Sequence, residues 1–176
     1  MRWSKLRSLV IERFAAPLQG RLDIHSTRYG NCSCGHAWLT LDGAVVANFC
    51  TRAHYFADHV LPQGNLDLIF TPADNPMYRK QLTVYGERSR QQLYRTLWDF
   101  VHTIPIEQAL ASDDMLLQAL AIVDARVGKR RLAQLDPDTL HPLCAYLLLV
   151  RTGRADLSPA EFIALRREVL PTRVAA

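Results

Sequence analysis

The chain has 176 residues, 49% hydrophobic and 22% charged, and a formal net charge of +4. That composition supports one globular core, or a small domain with a helical extension, and argues against wholesale disorder. No apolar run approaches the roughly 20 residues of a membrane span, and residues 1–14 lack the apolar stretch of a signal peptide, so a cytoplasmic protein without membrane contact is expected.

The spacing of Trp3, Leu6, Val10 and Phe14 predicts a first helix over about Lys5–Phe14, capped by Ser4, with Lys5, Arg7, Ser8 and Glu12 turned to water. Pro17 and Gly20 break it. Residues 21–27 then alternate as a strand, with Leu22 and Ile24 on one face and Asp23, His25 and Thr27 on the other. Strands over about His36–Leu41 and Ala44–Cys50 flank Asp42-Gly43, a two-residue type I′ hairpin signal. That turn sets Leu41 opposite Ala44, Leu39 opposite Val46, Trp38 opposite Ala47 and Gly35 opposite Cys50. Apolar residues on both faces of the hairpin imply that something covers its back.

A short helix or turn follows over Thr51–His59. Leu66–Phe70 reads as a fourth strand and Asp74-Asn75-Pro76 as a turn. From Arg88 to Val101 the pattern is helical, with Tyr94 and Trp98 packed toward the core. Pro105 opens a short helix to Ala111. Ser112 caps a longer one carrying Asp113 and Asp114 in its first turn, which Gly128 interrupts. Asp136-Pro137 and His141-Pro142 each mark a helix start, and Gly153 stops the second of these helices. Ser158-Pro159-Ala160-Glu161 is a capping box opening a last helix to about Val169. The expected fold is α+β: an N-terminal helix on a three- or four-stranded antiparallel sheet (residues 1–86), then a helical half (87–176), folding as one cooperative unit.

Two stretches stand out as patterns. One is Trp3-Ser4-Lys5-Leu6, Arg13-Phe14 and Gly20-Arg21-Leu22-Asp23-Ile24-His25-Ser26-Thr27-Arg28-Tyr29. The other is Ala119-Leu120-Ala121-Ile122-Val123-Asp124-Ala125-Arg126-Val127-Gly128-Lys129-Arg130-Arg131-Leu132. Together they resemble a small bacterial family that has no established activity, so the resemblance implies kinship without a function.

Three constellations bear on chemistry. Cys32-x-Cys34-x-His36, with Cys50 and His54, converges at one end of the hairpin and offers the donors of tetrahedral zinc. The C-x-C spacing is not that of zinc knuckles, and cysteine is also an ordinary buried residue, so plain thiols are the favoured reading. His25, Arg28 and Tyr29 suit ligand or partner contact by hydrogen bonding and stacking. Lys129, Arg130 and Arg131, at a helix kink, suit phosphate contact or a helix C-terminal dipole. No G-x-S-x-G, H-E-x-x-H, G-x-x-x-x-G-K or G-x-G-x-x-G occurs, which removes the common nucleotide-dependent classes. Cys144 reads as core. The leading expectation is a non-enzymatic accessory protein binding a protein partner or itself, with no cofactor. A small zinc-containing or nucleic-acid-binding regulator stands second, and a hydrolytic enzyme using His25 third.

Overall fold

Asp42 and Gly43 take φ values of 52° and 81°, the paired left-handed conformation that a type I′ turn requires. Around that turn a computed structural model, which describes residues 1–30, 33–58, 82–83, 86–155 and 157–169, builds a three-stranded antiparallel sheet in the order β1-β2-β3. The strands are β1 (Leu22–Arg28), β2 (Gly35–Leu41) and β3 (Ala44–Cys50). The anticipated fourth strand at Leu66–Phe70 and the turn at Asp74-Asn75-Pro76 lie outside the described residues.

The hairpin begins in the expected register, with Leu41 opposite Ala44 and Thr40 opposite Val45, and then slips. Leu39 pairs with Ala47, Trp38 with Asn48 and His36 with Cys50, leaving Val46 as the extra residue of a bulge. Both Val46 and Ala47 are fully buried, so the apolar run Val45-Val46-Ala47 tolerates either phase. Beyond the bulge the pairings deduced from the turn alone are therefore off by one. One sheet face carries Leu22, Ile24, Ala37, Leu39, Ala47 and Phe49 into the core. The other carries Asp23, His25, Thr27, His36, Trp38, Thr40, Asn48 and Cys50.

Helix α1 (Trp3–Ile11) packs on the core face through Leu6 and Val10. It starts two residues before Lys5 and ends before Phe14, with Arg2 rather than Ser4 at its N-cap. Phe14 instead forms an isolated bridge with Asp124. After α2 (Thr51–Asp58), the helical half comprises α3 (Arg90–His102), α4 (Ile106–Leu110), α5 (Met115–Val123), α6 (Lys129–Leu132), α7 (Pro142–Arg151) and α8 (Pro159–Val169). Ser89 and Gln92 close a full capping box on α3. Asp114, rather than Ser112, caps α5. Ser158 and Glu161 form the capping box of α8. Asp136-Pro137 makes a turn, with Asp136 Oδ1 accepting from Asp138 N, and no helix starts there.

Helix α5 ends at Val123 because Asp124 turns to extended backbone, where Ala15 N donates to Val123 O at 2.8 Å and Ala125 N to Arg13 O at 2.7 Å. The buried Asp124 carboxylate accepts from Arg126 N at 2.8 Å, Nε at 2.9 Å and Nη2 at 2.7 Å. Arg13 donates to Phe100 O and Val101 O, the orphan carbonyls at the end of α3. Arg151 donates likewise to Ile122 O and Val127 O. A single hydrophobic cluster takes side chains from both halves of the chain. No helix among the described residues is long and apolar enough to cross a membrane.

Candidate functional site on the outward sheet face

The β1–β2 register and the alternation of β2 together set Trp38 between two histidines on the face turned from the core. The His25 ring lies 5.2 Å from the indole at 16°, and the His36 ring 4.9 Å away at 21°. Each imidazole is thus stacked on the indole, and all three residues are half-buried. His25 Nε2 bonds Thr40 Oγ1 at 2.9 Å and lies 3.8 Å from Asp23 Oδ2. His36 Nε2 bonds Asn48 Oδ1. Burial holds the His36 imidazole below its ordinary pKa, against the upward pull of the Asn48 bond. The neutral ring is therefore favoured.

Asn48 is 4% exposed, and its Nδ2 has no hydrogen-bond partner among the described residues. Its backbone is held by Thr83, whose Oγ1 accepts from Asn48 N at 3.1 Å. Leu82 N donates to Val46 O. This two-residue segment lies along β3, the side on which the outward face is buried. At the opposite edge, Arg7 does not meet only water: it grips Asp23 with both carboxylate oxygens within 2.6 Å and donates Nε to Ile24 O at 2.8 Å. Asp23 Oδ1 also accepts from Ile24 N. The pair thus occupies outward backbone groups of an edge strand.

The anticipated trio separates. His25 joins the ring row, whereas Tyr29 lies beyond the end of β1, with its hydroxyl 3.5 Å from Cys50 Sγ and Arg52 stacked 5.2 Å over its ring. Arg28 is exposed at the strand end. Ser26 accepts from Arg90 Nε at 2.7 Å, which anchors α3 to β1.

Among the sulfur and imidazole groups considered for zinc, His54 Nδ1 donates to Gly86 O at 2.8 Å and Cys50 faces Tyr29. Cys34 lies just before β2, and Cys32 lies outside the described residues. Among the described residues no group of three or more His, Cys, Asp or Glu is arranged to hold a metal ion. Cys144 is core, donating to Met115 O, and its burial raises the thiol pKa to about 12.

Lys129, Arg130 and Arg131 begin a separate four-residue helix instead of closing a long one, and Leu132 alone of that helix is buried. Trp98, expected in the core, is 37% exposed and packs on His102 with centroids 4.3 Å apart. The sequence hides Asn48 because the bulge is invisible in an apolar run, and Trp38 because its place opposite His25 depends on the β1–β2 register, which no short turn fixes. The alternation of β1, which sets Asp23 and His25 together, was the available signal.

A model of the SF0329 protein family matches residues 2–152, and the chain belongs to that family. No curated protein and no solved structure matches it.

Proposed function

We propose that this member of the SF0329 protein family is a non-enzymatic binding protein that takes a protein partner, or a second copy of itself, on the outward face of its sheet. The observation that carries the reading is the His25–Trp38–His36 stack. An indole held between imidazoles has little side-chain entropy left to lose on binding. Around it Asp23, Thr27 and Thr40 form a polar rim, the anatomy of an interface anchor.

The geometry favours binding over hydrolysis. In a Ser-His-Asp arrangement the carboxylate holds the imidazole nitrogen opposite the one facing the hydroxyl. Here Thr40 Oγ1 and Asp23 Oδ2 both address His25 Nε2, and the Asp23 charge is compensated by Arg7.

Peptides selected by display on the immobilised protein, together with sedimentation equilibrium for self-association, test the reading. Trp38→Ala should weaken either interaction by about 2 kcal/mol, roughly 30-fold, whereas Trp98→Ala should leave it unchanged. Equal affinity in Trp38→Ala, or a monomer that selects no peptide, refutes the proposal.

A further inference from the structure

A second surface, unconnected with the ring row, gathers cations around the short helix α6. Leu132 is 1% exposed and pins α6 into the core, so Lys129, Arg130 and Arg131 all stand outward. Arg131 Nη1 reaches Glu107 Oε1 at 2.9 Å. Glu107 also feels Arg126, and its carboxyl stays below the usual carboxylate range, through a bond to its own backbone first and then Arg131. Arg126 is fixed by the buried Asp124 and lies 5.7 Å from the Phe100 ring, which Arg13 also approaches, at 5.8 Å. Burial first, then the like charge of Arg126, lowers the Arg13 pKa. Five cations thus meet two carboxylates, a local excess of three positive charges in a chain whose net charge is +4. Among the described residues Lys129 and Arg130 have no acidic partner.

We infer that this face binds the phosphodiester backbone of nucleic acid without reading its sequence. Asp124 and Phe100 hold Arg126, Glu107 holds Arg131, and buried Leu132 fixes the backbone that presents Lys129 and Arg130, so the face is in place before phosphate arrives. An acidic protein would need an apolar anchor beside the charges, yet Leu132, the large apolar residue of α6, is 1% exposed and turned into the core. Helix α6 itself, Lys129-Arg130-Arg131-Leu132, carries no aromatic ring on which a base could stack, so its contacts are to the backbone.

Fluorescence anisotropy with a labelled random-sequence DNA duplex, titrated across salt concentrations, tests the inference with the full chain. Arg13 is half-buried with its guanidinium on Phe100 O and Val101 O, so the four exposed cations Arg126, Lys129, Arg130 and Arg131 are the phosphate contacts, and they predict a log–log salt slope of about −3 to −4. Lys129→Ala with Arg130→Ala should shallow that slope by about 2 and weaken binding roughly 60-fold near 0.1 M salt. Glu107→Gln should tighten binding several-fold, a gain that misfolding cannot produce. Arg95→Ala with Arg154→Ala removes the same charge elsewhere and should leave the slope intact. Absence of binding at the lowest salt, an unchanged slope in the Lys129/Arg130 variant, or equal loss in the Arg95/Arg154 variant overturns the inference. So does poly-glutamate competing as effectively as DNA of equal charge, which would reassign the face to an acidic protein.

Discussion

Gly35 opens β2 at the point where β1, β2 and α3 meet, and replacing it by alanine tests how that junction is built. An added Cβ would stand 2.1 Å from Thr27 O, 2.6 Å from Arg90 Cδ and 3.1 Å from Arg28 Cα. Carbon and carbonyl oxygen settle no closer than about 3.3 Å, so Thr27 O must withdraw by more than roughly 1 Å. Thr27 belongs to the β1 backbone and faces His36 in the register, so the movement opens the end of the β1–β2 ladder. Arg90 is no softer, because its Nε is committed to Ser26 and its Nη1 to Ser33 O. Overpacking of this kind costs about 1–3 kcal/mol, and a lost ladder bond adds about 1. Glycine-to-alanine changes otherwise stabilise through the unfolded chain by about 0.4–1 kcal/mol, so the two effects differ in sign. We expect Gly35→Ala to lose about 3 kcal/mol in urea unfolding, a fall in Tm of roughly 6–12 °C. Gly128→Ala, whose Cβ meets nothing within 4 Å, is the matched control and should cost no more than about 1 kcal/mol as a cap change. A Gly35→Ala protein as stable as the parent would refute the close approach.

Asp124→Ala strands three donors of Arg126, and because that side chain is 46% exposed the freed guanidinium rehydrates. The expected loss is about 3 kcal/mol by urea unfolding, with Asp124→Asn losing about half as much; a loss under about 1 kcal/mol would show that the joint stands without its carboxylate. His36 is held below its usual value of 6.5, so the unfolded chain takes up a proton there more readily than the native one. Its contribution to stability is complete above pH 6.5 and declines as the pH falls through that value toward the native pKa. His36→Gln should therefore flatten the dependence of the urea midpoint on pH between neutral and mildly acidic solution, and parallel curves for the two proteins would contradict the assignment.

What the sequence discloses depends on whether a local rule decides the outcome. The type I′ turn, the α8 capping box and the alternation of β1 are each set by a few neighbouring residues, and each forms where the pattern puts it. The bulge after Leu39 is not local, because Val45, Val46 and Ala47 are apolar in either phase and only packing chooses. The same holds at Asp124, which helical periodicity carries straight through to Val127. A carboxylate able to bind its own Arg126 while its backbone pairs with Phe14 ends the helix instead. Arg7, given to solvent by its place on the helix, finds Asp23, which is distant in sequence and adjacent in space.

The two stretches that carry the family resemblance meet as one structural joint. Arg13 holds the end of α3, Phe14 pairs with Asp124, and Asp124 holds Arg126. Most of the first stretch has comparable structural work. Arg21 makes a bidentate pair with Asp42, Leu22 and Ile24 fill the core, and Ser26 receives Arg90. Tyr29 lies beneath Arg52. His25 differs, since its hydrogen bond to Thr40 and its stack on Trp38 stay on the outward face and tie no second element to the sheet. Loss of His25 should therefore leave the unfolding midpoint nearly unchanged, within about 0.5 kcal/mol, while weakening whatever binds at Trp38. A His25→Ala protein destabilised as strongly as Asp124→Ala would make the histidine another part of the scaffold, and the binding reading would lose its anchor.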